Sequence, residues 1–100
     1  MDMITTVQEL LDSVSNDDVP PPQLSAELKA LWHAKKGNWD AAHDIAQEIH
    51  SAMGSWIHAH LHLVEGDIGN AGYWYSRASR PARTRREIDA EWVELAEANL

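Results

Sequence analysis

The sequence predicts an all-α protein, and three observations carry that expectation. Apolar residues recur at steps of three and four along most of the 100 residues. Glycine, followed by Asn or Asp, punctuates these stretches where one helix would end and the next begin. No segment alternates polar and apolar residues for long, β-branched residues are sparse, and no Asn-Gly or Asp-Gly hairpin turn occurs.

Each element can be justified in turn. Ile4, Val7, Leu10, Leu11 and Val14 have helical spacing, with Thr6 and Glu9 placed for a capping box. Asp17-Asp18-Val19 and the prolines at 20–22 break that period, because each proline removes a donor and pushes its predecessor toward extended backbone. Residues 1–14 are therefore expected as an N-terminal helical arm, 15–23 as a semi-rigid Pro-rich linker, and 24–100 as the main helical domain. Leu24, Leu28, Leu31 and Trp32 mark a helix that stops at Gly37. Asn38 caps the next, whose face carries Trp39, Ala42, Ala46, Ile49 and Met53. Gly54-Ser55 reads as a break before a helix with Trp56, Ile57, Leu61 and Val64, which stops at Gly66. Asp67 caps a fifth helix through Ala71, Trp74, Tyr75 and Ala78, ended by Arg80-Pro81. Thr84 and Glu87 form a capping box for a last helix bearing Ile88, Trp92, Leu95 and Ala96. Trp32, Trp39, Trp56 and Trp92 fall among these apolar positions and are expected as wedges between helices.

Composition narrows the function classes. With no cysteine, disulfides, thiolate metal sites and cysteine nucleophiles are all excluded. Hydrophobic residues make up 44% and charged residues 24%, ordinary globular usage that argues against wholesale disorder. A formal net charge of −8 speaks against general nucleic-acid binding and against anionic membrane surfaces. No apolar run approaches the length of about 20 residues that spans a bilayer, and no signal-like start is present, so a cytoplasmic location is the default expectation. The charge is uneven. Residues 77–86 carry five arginines and no acid, between an acidic stretch and a C-terminal segment with five acids and no base. That island is expected to pair with the acids after it, with docking of an anionic partner as the alternative.

The central segment repeats itself. Gly37-Asn38-Trp39-Asp40-Ala41-Ala42 aligns with Gly66-Asp67-Ile68-Gly69-Asn70-Ala71 at an offset of 29 residues. Glycine turns the chain, the next residue caps a helix, and alanine permits close helix approach, which describes an antiparallel helical hairpin. On these residues, together with Tyr75, Ala78 and Pro81, the chain resembles the tetratricopeptide repeat (TPR) family over about residues 25–81. The offset is shorter than the roughly 34 residues of a regular array, and two units are fewer than the three that usually make a stable solenoid. The resemblance implies a TPR-like stack of two antiparallel helical hairpins, with the N- and C-terminal helices as extra layers. The string Trp56 to His62, with Glu65-Gly66-Asp67, Asn70-Ala71, Tyr73 to Ala78 and Trp39 to His43, also resembles a group of small uncharacterised bacterial helical proteins. That likeness implies a shared fold and no activity.

Two constellations could carry chemistry. His58, His62 and Glu65 lie on one helical face at steps of four and three, a set that could contribute to a metal site if His43 or His33 supplied a further ligand. Packing of the two imidazoles inside the hairpin, or a proton-handling or ligand-binding role, are the other readings of that stripe. His60, between them, faces the opposite way and is a separate matter. Asn70, Trp74 and Arg77 share a second stripe, with Tyr73 on its flank, and these residue types suit a contact surface or the edge of a core. No nucleophile elbow and no phosphate-binding glycine loop occurs, so the sequence leans away from an enzyme and implies no cofactor. The expectation is a protein-interaction module for a protein or peptide partner, with homodimerisation through the N-terminal arm as an option. The alternative is a metal- or small-ligand-binding protein, conceivably hydrolytic, centred on His58, His62 and Glu65.

Overall fold

Four of the helix starts in this chain carry a side-chain cap, and two of the helix ends are set by glycines. The computed structural model describes residues 3–100; Met1 and Asp2, the first residues of the expected arm, lie outside them. Among the described residues there are six α-helices, one 3-10 turn and no strand. They are α1 (Val7–Asn16), α2 (Ala26–Lys36), α3 (Trp39–Gln47), α4 (Ala52–Glu65), α5 (Ile68–Arg77) and α6 (Ile88–Asn99), the last led by the turn Arg85–Glu87.

Of the expected caps, Thr6 and Asp67 bond through their side chains and the Thr84 N–H donates to Glu87, while Asn38 stands at the N-cap of α3 without a side-chain hydrogen bond. Thr6 Oγ1 accepts from the Glu9 N–H at 3.1 Å while Glu9 Oε1 accepts from the Thr6 N–H at 3.1 Å, closing the box at α1. Ser25, Ser51 and Asp67 cap α2, α4 and α5 one-sidedly, each side chain accepting from a backbone N–H of the first turn. Gly37 and Gly66 end α2 and α4 at φ of 94° and 86°, the left-handed region where a Cβ would be strained. Within each pair that these glycines join, α2 packs on α3 and α4 on α5, and α3 also meets α4.

Gly54 departs from expectation. It is not a break: α3 ends at Gln47, and Gly54 is buried in the first turn of α4. A Cβ there would overlap the Ile49 carbonyl oxygen, so the glycine is needed for close approach of the α3–α4 connection. The proline break also starts later than the spacing implied, because α1 continues to Asn16 and Asp17 serves as its C-cap.

Helix α1 lies against α2 and α6 of its own chain, burying Leu10 and Val14. The Trp32 indole N–H donates to Ser13 Oγ at 3.0 Å, and the Lys36 ammonium donates to the Val14 and Asp17 carbonyls at 2.7 and 2.8 Å. A cation thereby satisfies carbonyls at the negative end of α1. The other expected wedges also end in hydrogen bonds. Trp39 donates to the Leu61 carbonyl, Trp92 to the Leu31 carbonyl and Trp56 to the Glu91 carboxylate. Three of these four indoles are buried, Trp39 being half-buried, so each fills volume and fixes register between two helices.

The arginine island is largely spent on the chain itself. Arg83 holds Glu94 through two nitrogens at 2.9 Å each, Arg85 donates to the Val64 carbonyl, and the Arg80 guanidinium lies 3.6 Å from the Trp56 ring centroid.

Candidate functional site

Close packing of α3 on α4 brings three histidines together. His43 lies on α3, and His58 and His62 are one turn apart on α4, so all three face the seam between these helices. Nε2 of His43 and Nε2 of His58 are 2.9 Å apart. One ligand nitrogen from each of His43, His58 and His62 falls within 4.8 Å of the other two. Two indoles clamp the group. Trp39 stacks on His43 with ring centroids 4.8 Å apart, and Trp74 stacks on His58 at 3.9 Å. His58 and His62 stack on each other at 4.9 Å.

This is a costly way to fill a helix interface. His58 and His62 are buried, and a contact between two Nε2 atoms holds at most one proton, so both rings of the His43–His58 pair cannot be charged. Burial, with the neighbouring His43 and His62 adding to it, pushes the His58 pKa down to about 4 from an ordinary 6.5. At neutral pH His58 is an uncharged imidazole with a lone pair to offer. His62 Nδ1 is buried without a hydrogen-bond partner. Glu65 Oε1 stands 3.5 Å from it, within ion-pair range but outside hydrogen-bond geometry, and the orphaned nitrogen is the more telling observation.

Sequence spacing had placed Glu65 with His58 and His62 and offered His43 or His33 as a further ligand; the structure brings His43 to these two rings. The nitrogen that joins these two histidines comes from His43 on the neighbouring helix. Glu65 sits at the exposed end of α4, where with Asp67 it forms a second, mostly solvent-facing group around His62. His33 is outside both groups: it sits edge-on to Trp32, its Nδ1 is buried and unpartnered, and burial lowers its pKa.

The second expected stripe divides. Asn70 helps close the α5 cap, its backbone N–H and side-chain Nδ2 both donating to Asp67 at 3.3 Å. Trp74 belongs to the histidine cluster through its stack on His58. Tyr73 is 55% exposed, and its hydroxyl accepts from Arg77 at 3.2 Å. The Arg77 guanidinium also lies 5.4 Å from the Trp74 ring centroid. A cleft of about 480 Å³ opens beside this group between the α3–α4 connection and α5, lined among others by Ile49, Ser51, His58, Trp74 and Arg77.

Sequence reasoning missed a further polar cluster. Glu91 on α6 is fully buried and accepts from His60 Nδ1 at 2.7 Å, from the Trp56 indole at 3.0 Å, and from the Tyr75 hydroxyl at 2.7 and 2.8 Å. Burial opposes the charge on Glu91, but donation from His60, Trp56 and Tyr75 outweighs it and holds the carboxyl below its usual range. Burial and donation to Glu91 push the Tyr75 phenol up, so it stays protonated. Glu91 falls three after Ile88 and four before Leu95, on the apolar face of the last helix, and that position was the available signal. The cluster welds α4, α5 and α6 together. It is closed to solvent and suits stability rather than turnover.

No protein-family model matches the chain, and no curated protein or solved structure matches it either.

Proposed function

We propose that this protein is a TPR-like stack of two helical hairpins that binds a divalent first-row transition-metal ion, zinc-like in its preference for nitrogen, through His43, His58 and His62. The observation that carries this reading is the convergence of one nitrogen from each ring to within 4.8 Å at the α3–α4 seam. The hairpin part rests on the packing of α2 on α3 and α4 on α5, each pair joined through a left-handed glycine.

The donor set supports a borderline-soft cation. All three donors are imidazoles, which suit zinc, nickel, copper and iron and give calcium and magnesium nothing to prefer. A tetrahedral ion with metal–nitrogen bonds of about 2.0–2.1 Å spaces its ligand nitrogens roughly 3.3 Å apart. The His43–His58 pair at 2.9 Å would open slightly to reach that spacing. Three ligands leave a fourth position, the pattern of sites that admit water or a small molecule.

Titration of tag-free, chelator-treated protein with cobalt(II), followed by its visible absorption, tests the proposal. One equivalent should bind, zinc should displace it, and His43→Ala and His58→Ala should each lose it. Replacing the exposed His50 by Gln should change nothing. Retention of full cobalt affinity in both alanine variants would overturn the reading.

The interaction-module reading keeps one supporting observation. Ile68 and Tyr73, both on α5, are 56% and 55% exposed, large side chains of a kind that proteins bury against partners.

A further inference from the structure

We propose that the cleft between the α3–α4 connection and α5 binds a small organic carboxylate, with the carboxylate on Arg77 and the apolar body against Trp74, Ile49 and Ala46. The inference stands apart from the metal reading, since none of these contacts requires an ion.

Charge is the first argument. The chain carries sixteen acidic residues against eight basic ones, yet no acidic side chain lines this cleft, while Arg77, His50 and His58 do. Chance placement on so acidic a protein would be expected to bring at least one carboxylate to the rim. Arg77 itself is the second argument. Arg83 is committed to Glu94 by a two-nitrogen pair, but among the described residues Arg77 has no carboxylate partner. Among the described residues the exposed Arg77 has one hydrogen-bond acceptor, the Tyr73 hydroxyl at 3.2 Å, and its guanidinium lies 5.4 Å from the Trp74 ring centroid, so most of its donors remain free. A planar fork with free donors beside an aromatic ring matches a carboxylate.

The interior of the cleft supplies the third argument. His58 is 5% exposed and lines it, its Nε2 engaged with His43. The N-terminal turn of α4 also borders the space through Ser51 and Ser55, adding a favourable field for an anion. Ala46, Ile49 and Trp74 would be wasted on inorganic phosphate, and about 480 Å³ exceeds what that ion needs. An anion with a flat or aliphatic body satisfies both halves of the lining.

Calorimetry on chelator-treated protein with benzoate, benzamide and inorganic phosphate tests this. Benzoate should bind saturably, and both benzamide and phosphate at least about tenfold more weakly, the factor that loss of a charge-assisted pair produces. Arg77→Gln should weaken benzoate by a similar factor, whereas Arg86→Gln should not. Ser55→Asp, which adds an acid to the cleft at a position that favours the helix, should abolish binding while leaving the circular dichroism intact. His43→Ala should retain benzoate binding even where it loses cobalt, so the two readings fail separately. Absent benzoate binding, equal affinity for benzamide or phosphate, or full affinity in the Arg77→Gln protein would overturn the proposal.

Discussion

Removing the Glu91 carboxylate should cost this protein much of its stability. In Glu91→Ala the indole of Trp56, the hydroxyl of Tyr75 and Nδ1 of His60 all lose their acceptor in a site closed to water. Each buried group left unsatisfied costs about 1–3 kcal/mol, and breaking a buried ionic cluster by deleting one member costs roughly 3–5 kcal/mol in total. We expect a loss of about 4 kcal/mol. In a domain of this length that corresponds to a fall in Tm of roughly 15–30 °C. Glu91→Gln, which keeps one acceptor oxygen and the side-chain volume, should lose about half as much. Urea unfolding followed by circular dichroism at pH 7 measures both. Tyr75→Phe combined with Glu91→Ala should be far from additive, because the two residues share one network. A loss of under about 1 kcal/mol in Glu91→Ala would refute the reasoning, since it would mean water or other acceptors replace the carboxylate freely.

Buried His58 makes the fold sensitive to acid. The folded His58 pKa of about 4 lies below the ordinary 6.5, so the unfolded chain binds more protons between those values, and stability falls as pH drops from 6.5 to 4. The loss through this residue is about 3 kcal/mol, and His58→Phe should flatten the slope of unfolding free energy against pH in that window; an unchanged slope would rule the assignment out. Glu91, whose carboxyl is held low, adds a separate loss in the same direction only as pH falls below the ordinary carboxyl range. Two glycines should respond oppositely to alanine. Gly54→Ala should destabilise by about 1–3 kcal/mol because its Cβ meets the Ile49 backbone, whereas Gly72→Ala, with open space around it, should stabilise by up to about 1 kcal/mol; chemical denaturation reads both.

Local signals made the helices legible. Thr6 with Glu9, Gly37 with Asn38, and Gly66 with Asp67 act through neighbours a few residues away, and each ends or starts a helix where its chemistry requires. Gly54 was misleading because its role is defined by the Ile49 carbonyl, a contact that no helix-stop rule contains. The candidate site was legible in half. The step of four between His58 and His62 put both on one face, but the choice of His43 over Glu65 depends on how α3 lies along α4. His60 could be set apart from its neighbours by helical phase, yet its partner Glu91 is 31 residues away and carried only the weak signal of an acid on an apolar stripe.

Both clusters put polar groups where aliphatic side chains would pack more cheaply. For Glu91 the return is a weld between α4, α5 and α6, with three donors, His60, Trp56 and Tyr75, at 2.7–3.0 Å. For His43, His58 and His62 the hydrogen bonding is incomplete, with one bond at 2.9 Å and one orphaned nitrogen on His62. That incompleteness is what a metal ion would remedy. X-ray absorption at the zinc edge, on protein loaded with one equivalent, counts the imidazoles around the ion directly. The account predicts three imidazole ligands at about 2.0–2.1 Å, falling to two or to no binding in His43→Ala. A shell built from carboxylate oxygens, or one with fewer than three imidazoles in the unaltered protein, would contradict it.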